Sequence, residues 1–120
     1  MDDFFVLEDN LVRWEYISQI LPPNLTYTHA PNGTEFEAYL AQGRTAKIYF
    51  LDDEVPDSQG IVGYHFIKHC NILLDQQPTA KVFYTGSAPG PEETDFCEER
   101  MILMIDKNHI GKKVQELLTR

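Results

Sequence analysis

Apolar and polar positions fall in short blocks along this chain. Phe4-Phe5-Val6-Leu7 is a continuous apolar run closed by Glu8-Asp9-Asn10, the pattern of a strand buried on both faces. A helix fits Leu11 to Leu21, with Leu11, Trp14, Ile17 and Leu21 on one side, and Pro22-Pro23 ends it because proline cannot continue the hydrogen-bond ladder. Leu25 to His29 reads as a second strand, with Leu25, Tyr27 and His29 alternating against threonines. Pro31-Asn32-Gly33 is a turn signal, and Thr34 with Glu37 predicts a capping-box start to a helix carrying Phe36, Tyr39 and Leu40. Gly43 ends that helix as a left-handed cap.

The same alternation continues. Ala46 to Leu51 is a third strand, and after a loop of acids and proline a helix fits Ile61 to Leu74. Lys81 to Tyr84 is a fourth strand, followed by a Pro/Gly-rich loop from Ser87 to Pro91. Glu92 to Arg100 is mostly acidic and predicts a weak, short or mobile fourth helix. Met101 to Ile105 is a fifth strand, and Ile110, Val114, Leu117 and Leu118 stripe a final helix. Strand and helix therefore alternate five times, which implies an α/β fold: a doubly wound, five-stranded parallel sheet covered on both faces.

Bulk properties narrow the function. A length of 120 residues with 42% hydrophobic content suits one domain over residues 1–120. No apolar run reaches the roughly 18 residues a membrane span requires. Met1-Asp2-Asp3 lacks the basic opening of a secretory signal, so a cytoplasmic protein away from the membrane is expected. Cys70 and Cys97 form no C-x-x-C pair and read as reduced thiols. With 19 acids against 10 bases the net charge is −9, a field that repels nucleic acid and suits a cation or a basic partner surface.

In open parallel sheets the site lies beyond the carboxyl ends of the strands. Those ends carry Glu8 and Asp9 after the first strand, Asp52, Asp53 and Glu54 after the third, Thr85 after the fourth and Lys107 after the fifth. Only the second, ending in His29-Ala30-Pro31, offers no acid or nucleophile. Converging carboxylates call for a hard cation with oxygen ligands, and Mg²⁺ accepts a few carboxylates together with a phosphate. A carboxylate held there can attack phosphorus, with the ammonium and hydroxyl groups neutralising the transferred oxygens.

The stretch Leu51-Asp52-Asp53-Glu54-Val55-Pro56-Asp57-Ser58-Gln59-Gly60 resembles the L-D-x-x-x-P-D-x-x-G signature of response-regulator receiver domains. Glu8-Asp9, Thr85 and Lys107 stand where that family has its metal-binding acids, hydroxyl and lysine, and the likeness runs from Phe4 to the last helix. The resemblance implies a flavodoxin-like sheet of order 2-1-3-4-5. It makes Asp52 the phosphoacceptor, with Mg²⁺ held by Glu8, Asp9, Asp52 and the backbone carbonyl of Glu54. Lys107 would pair with the phosphoryl group and Thr85 would contact it and carry the signal. The implied partners are a histidine kinase or phosphotransfer protein and a downstream protein target, and the chain would not be an enzyme in the ordinary sense.

Two positions depart from the pattern. Asn108 stands where the family has proline after the lysine, so a trans peptide, or a strained loop, is expected there. Met104 replaces the usual aromatic residue of the fifth strand, which puts the familiar switch in question. A degenerate receiver acting as an adaptor is thus a competing reading. A small metal-dependent phosphatase is a weaker one, since the chain lacks the extra D-x-D acid and a cap segment. His29, His65, His69 and His109 have no metal-binding spacing and read as surface or packing residues.

Overall fold

The structure is a computed structural model that describes residues 1–53, 55–56, 65–86 and 89–118. Five strands, β1 (Asp2–Leu7), β2 (Tyr27–Ala30), β3 (Ala46–Leu51), β4 (Lys81–Tyr84) and β5 (Leu103–Met104), form one sheet in the order β2-β1-β3-β4-β5. Every pairing is parallel. The helices are α1 (Leu11–Gln19), α2 (Gly33–Ala41), α3 (His65–Gln76), α4 (Pro91–Arg100) and α5 (Ile110–Leu118), the last preceded by a 3₁₀ turn at Lys107–His109.

Strand residues alternate between two cores because side chains on a pleated strand point to opposite faces. Phe4, Val6, Ile48, Phe50 and Phe83 pack with Ile17 of α1 and with Ile110 and Val114 of α5. Phe5, Leu7, Tyr49, Leu51, Val82 and Tyr84 pack with Phe36 and Leu40 of α2, Phe66 and Leu73 of α3, and Phe96 of α4. The continuous apolar runs of β1 and β3 are thus strands covered on both sides. Cys70 and Cys97 are free and lie in the second core. Burial pushes their thiols up to about 12 and about 11, away from the reactive thiolate form.

Several boundaries move, each for a local reason. The first helix ends at Gln19, and Leu11, assigned to its apolar stripe, is 66% exposed in the opening turn. The second helix is capped by Asn32, whose side chain accepts the Glu35 N–H at 2.8 Å, so the expected Thr34–Glu37 box is not the cap: Thr34 already lies inside the helix. Gly43 does end this segment at φ +72°, a conformation that side chains disfavour. The predicted second strand shifts to Tyr27–Ala30. The stretch Ile61 to Tyr64, assigned to the third helix, lies outside the described residues.

The fourth helix corrects the expectation of weakness. It runs for ten residues with Pro91 in its first turn, Glu92 and Glu93 beside the positive end of its dipole, and Arg100 in its last turn. Phe96 meets Phe66 edge-on at 5.9 Å, and the Arg100 guanidinium lies 3.8 Å over the Phe96 ring. The fifth strand is correspondingly shorter than predicted. Met101 closes α4 in the left-handed conformation (φ 55°), so pairing is confined to Leu103 and Met104 at the sheet edge.

Met101 is 90% exposed and holds a backbone conformation that strains an L side chain. Met101→Gly removes that strain and nothing buried. It should raise the urea midpoint by an amount equivalent to about 0.5–1 kcal/mol, with the m-value unchanged.

Candidate functional site

The carboxyl ends of β1, β3, β4 and β5 open onto one cleft of about 740 Å³. It is lined by Glu8, Asp9, Asp52, Thr85 and Lys107, together with Asn10, Arg13, Asp53, Tyr84, Gly86 and Met104. Every described residue assigned to the site from sequence therefore reaches the same space. The Glu54 carbonyl and the segment Asp57 to Gly60 lie outside the described residues.

Backbone hydrogen bonds carry the parallel pairing past the strand ends and so fix where each side chain starts. The Glu8 N–H donates to Ala30 O at 3.0 Å, the Thr85 N–H to Leu51 O at 2.9 Å, and the Ile105 N–H to Tyr84 O at 2.9 Å. Asp52 follows β3 directly and accepts the Asp53 N–H on Oδ1 at 2.7 Å. Lys107 Nζ reaches across from the end of β5 to Asp52 Oδ2 at 2.7 Å and Glu8 Oε1 at 2.9 Å. Glu8, Asp52 and Thr85 are all buried, with Asp52 only 5% exposed.

The carboxylates of Glu8, Asp9 and Asp52 each offer an oxygen within 4.8 Å of the other two. Among the described residues, the Lys107 ammonium group is bonded to two of these carboxylates. Burial raises Asp52 to about 6 despite the opposing pull of Lys107. Loss of hydration, and after it the Glu8 charge, raises Asp9 as well. Burial works against the charge on Lys107, but its bonds to Asp52 and Glu8 prevail and raise its pKa. A hard divalent ion with oxygen ligands fits this donor set, since it brings positive charge to carboxylates gathered where burial has removed much of their hydration.

Other residues of the site were not read from sequence. Asn10 caps α1 by accepting the Arg13 N–H at 3.0 Å, and its own N–H donates to Glu8 Oε2 at 3.0 Å. An asparagine just before a helical stripe is a legible cap signal, but its bond to Glu8 is not. Tyr84 points its hydroxyl toward Asp53, and burial pushes that hydroxyl well above its usual range, with the nearby carboxyl adding to the effect. Gly86 leaves room for both: a Cβ there would collide with the Tyr84 hydroxyl and come within 2.7 Å of Asp53 Cβ.

The two departures have structural consequences. No described peptide bond is cis, so Lys107–Asn108 is trans. Asn108 uses the amide hydrogen that proline lacks, donating to Asp106 Oδ1 at 2.8 Å, and its side chain accepts from Arg13 at 3.3 Å. Met104 is 39% exposed on the edge strand.

The strand order, all-parallel pairing and five covering helices define the flavodoxin-like architecture of CheY-like receiver domains. Comparison with solved structures gives the particular likenesses. The response regulator receiver domain protein (CheY-like) from Methanospirillum hungatei JF-1 is similar over 99% of this chain and 94% of its own, with a TM-score of 0.74 and 15% identity. The isolated receiver (REC) domain of RcsB from Salmonella enterica serovar Typhimurium, in the presence of the phosphomimetic BeF₃⁻, is similar over 98% and 86%, with a TM-score of 0.69 and 13% identity. The longer Salmonella typhimurium RcsB response regulator matches 99% of this chain, which spans 60% of it, with a TM-score of 0.74 and 12% identity. Identities this low establish the fold. No family model matches the chain, and no curated protein matches it.

Because folding raises the Asp52 carboxyl from near 3.8 to about 6, the native state binds its proton more tightly than the unfolded chain. Stability should therefore fall as pH rises from about 4 to about 6, by about 3 kcal/mol, and stay lowered above that window. Asp52→Asn mimics the protonated group and lacks this slope. In urea titrations with EDTA it should match the wild type near pH 4 and exceed it at pH 7.

Proposed function

We propose that this chain is a phosphorylatable signalling domain that takes a phosphoryl group on Asp52 from a phosphohistidine of a histidine kinase or phosphotransfer protein. The observation that carries this reading is the convergence of Glu8, Asp9 and Asp52 within 4.8 Å, with Lys107 bonded to the Asp52 carboxylate at 2.7 Å. Fold likeness to CheY-like receivers supports it at the level of architecture.

Glu8, Asp9, Asp52 and the Glu54 carbonyl would hold Mg²⁺, which when bound draws charge from the phosphoryl oxygens. A carboxylate oxygen of Asp52 attacks phosphorus as the phosphorus–nitrogen bond to the donor imidazole breaks. The donor ring carries a proton on its other nitrogen, so the departing nitrogen takes the bonding pair and leaves as neutral imidazole, and the carboxylate becomes an acyl phosphate. Lys107 shifts from neutralising the free carboxylate to pairing with a phosphoryl oxygen, so its charge is retained through the step. Thr85, buried beside Asp52, donates its hydroxyl to another of those oxygens and is thereby drawn toward the site. The altered surface is then recognised by a downstream protein target. Residence in the cytoplasm goes with such a donor, and no described helix is long and apolar enough to cross a membrane.

The exposure of Met104 favours a second reading, an adaptor that binds its partner without phosphorylation. In the aromatic-switch arrangement that position holds a ring that packs inward when the hydroxyl moves. Here the side chain stands at the sheet edge.

Amide spectra recorded with Mg²⁺ and beryllofluoride separate the two. The expected outcome is a new set of signals around Asp52, Thr85 and Lys107 that needs both components and vanishes in Asp52→Asn. Unchanged wild-type spectra, or an equal response in Asp52→Asn, would favour the adaptor.

A further inference from the structure

β2 is the strand whose carboxyl end brings no acid or nucleophile, yet it touches the site through His29. In the β1–β2 register His29 pairs with Val6, so both side chains lie on the α1/α5 face. The imidazole stacks on the indole of Trp14, with ring centroids 4.1 Å apart and planes 8° from parallel. Trp14 meets Tyr27 edge-on at 5.7 Å, and Tyr27 stacks on Phe4 at 5.1 Å. The His29 ring is therefore held by a chain of aromatic contacts running from α1 into the sheet.

His29 Nε2 lies 2.7 Å from the carbonyl oxygen of Glu8. A carbonyl oxygen has no proton to give, so Nε2 carries the hydrogen and donates it. That oxygen belongs to the peptide joining Glu8 to Asp9. Because a peptide is planar, fixing its C=O direction fixes the plane from which the Asp9 backbone departs. The Glu8 side chain is held from the other direction by the Asn10 N–H and by Lys107. A single imidazole thus sets the peptide between two of the three clustered carboxylates without touching a carboxylate itself.

We propose that His29, backed by Trp14, is a positioning residue for the cation site, and that Trp14 reports occupation of that site through the stacked ring. The inference rests on the reading of Glu8, Asp9 and Asp52 as the metal-binding cluster. Hydrogen-bonding partners just behind metal ligands govern affinity because they set the direction of the ligand before the ion arrives. Trp14 is the only tryptophan in the chain, so its emission needs no assignment.

The test uses Mg²⁺ alone, titrated into wild type, His29→Leu and His29→Gln by calorimetry and by Trp14 emission, with urea midpoints measured in EDTA. His29→Leu should weaken Mg²⁺ binding about tenfold or more. His29→Gln, which keeps a side-chain N–H donor, should recover much of that loss. The wild-type emission change on adding Mg²⁺ should shrink in both variants. Wild-type affinity in His29→Leu, or a Gln variant no better than Leu at similar urea midpoints, would overturn the positioning role. If His29→Leu does not fold, His29→Gln carries the test: near wild-type affinity with an altered emission response is expected, and affinity lost more than tenfold overturns the proposal.

A metal-free measurement separates this inference from the reading beneath it. Long-range ¹H–¹⁵N correlation of the neutral His29 ring should show the Nε2–H tautomer, and an Nδ1–H tautomer would overturn the hydrogen bond whatever the metal does. Calorimetry that finds no Mg²⁺ binding by wild type would instead sink the metal-site reading, and the positioning role with it.

Discussion

The carboxylates of Glu8, Asp9 and Asp52 share a space in which each lies within 4.8 Å of the others, and two of them are buried. At an effective dielectric constant near 20, a pair of unit charges at that separation repels by about 3 kcal/mol. Such a cluster persists only where the backbone holds it and a positive group sits against it. The parallel sheet supplies the first condition by delivering adjacent strand ends to one edge, and Lys107 supplies part of the second. Burial works the other way: loss of hydration raises the Asp52 carboxyl although Lys107 is bonded to it. A fold does not gain stability from this arrangement, and the destabilised carboxylate is the group best prepared to bind a cation or attack an electrophile.

The rest of the molecule supports that edge from two sides. On one face, α1 and α5 pack over Phe4, Val6, Phe50 and Phe83, and α1 places the cap residue Asn10 against Glu8. On the other, α3 and α4 cover Tyr84, whose hydroxyl reaches back to Asp53 over the gap left by Gly86. The site is thus continuous with both cores. Tyr84 belongs to the core beneath α3 and α4, whereas Met104 stands partly in solvent. The Arg13–Asn108 bond ties the turn after Lys107 to α1, so the lysine is approached from a shaped backbone without a proline.

Much of the architecture was legible in the chain itself. Apolar runs such as Phe4 to Leu7 identify buried strands because a strand covered on both faces buries successive side chains on either side, and the acids after β1 and β3 mark the candidate site's edge because parallel strands all end on the same side. Glu8, Asp9, Asp52, Thr85 and Lys107 follow from that rule, and the structure brings them to one cleft. Local signals were weaker guides at helix ends. Asn32 outcompeted Thr34 as a cap because it stands outside the helix in extended conformation, and α4 formed despite its acids because Phe96 and Cys97 anchor it.

Pattern and spacing therefore determined which elements form, that the sheet is parallel, and which side chains lie at its carboxyl edge. Only the tertiary structure decided that Lys107 bridges Glu8 and Asp52, that β5 shrinks to two residues, and that His29 stacks on Trp14 and holds the Glu8 carbonyl. Periodicity is a property of neighbours along the chain, so it carries strand and helix. Contacts between residues 15 to 99 positions apart depend on strand order, register and helix placement, and these are settled when the whole core packs.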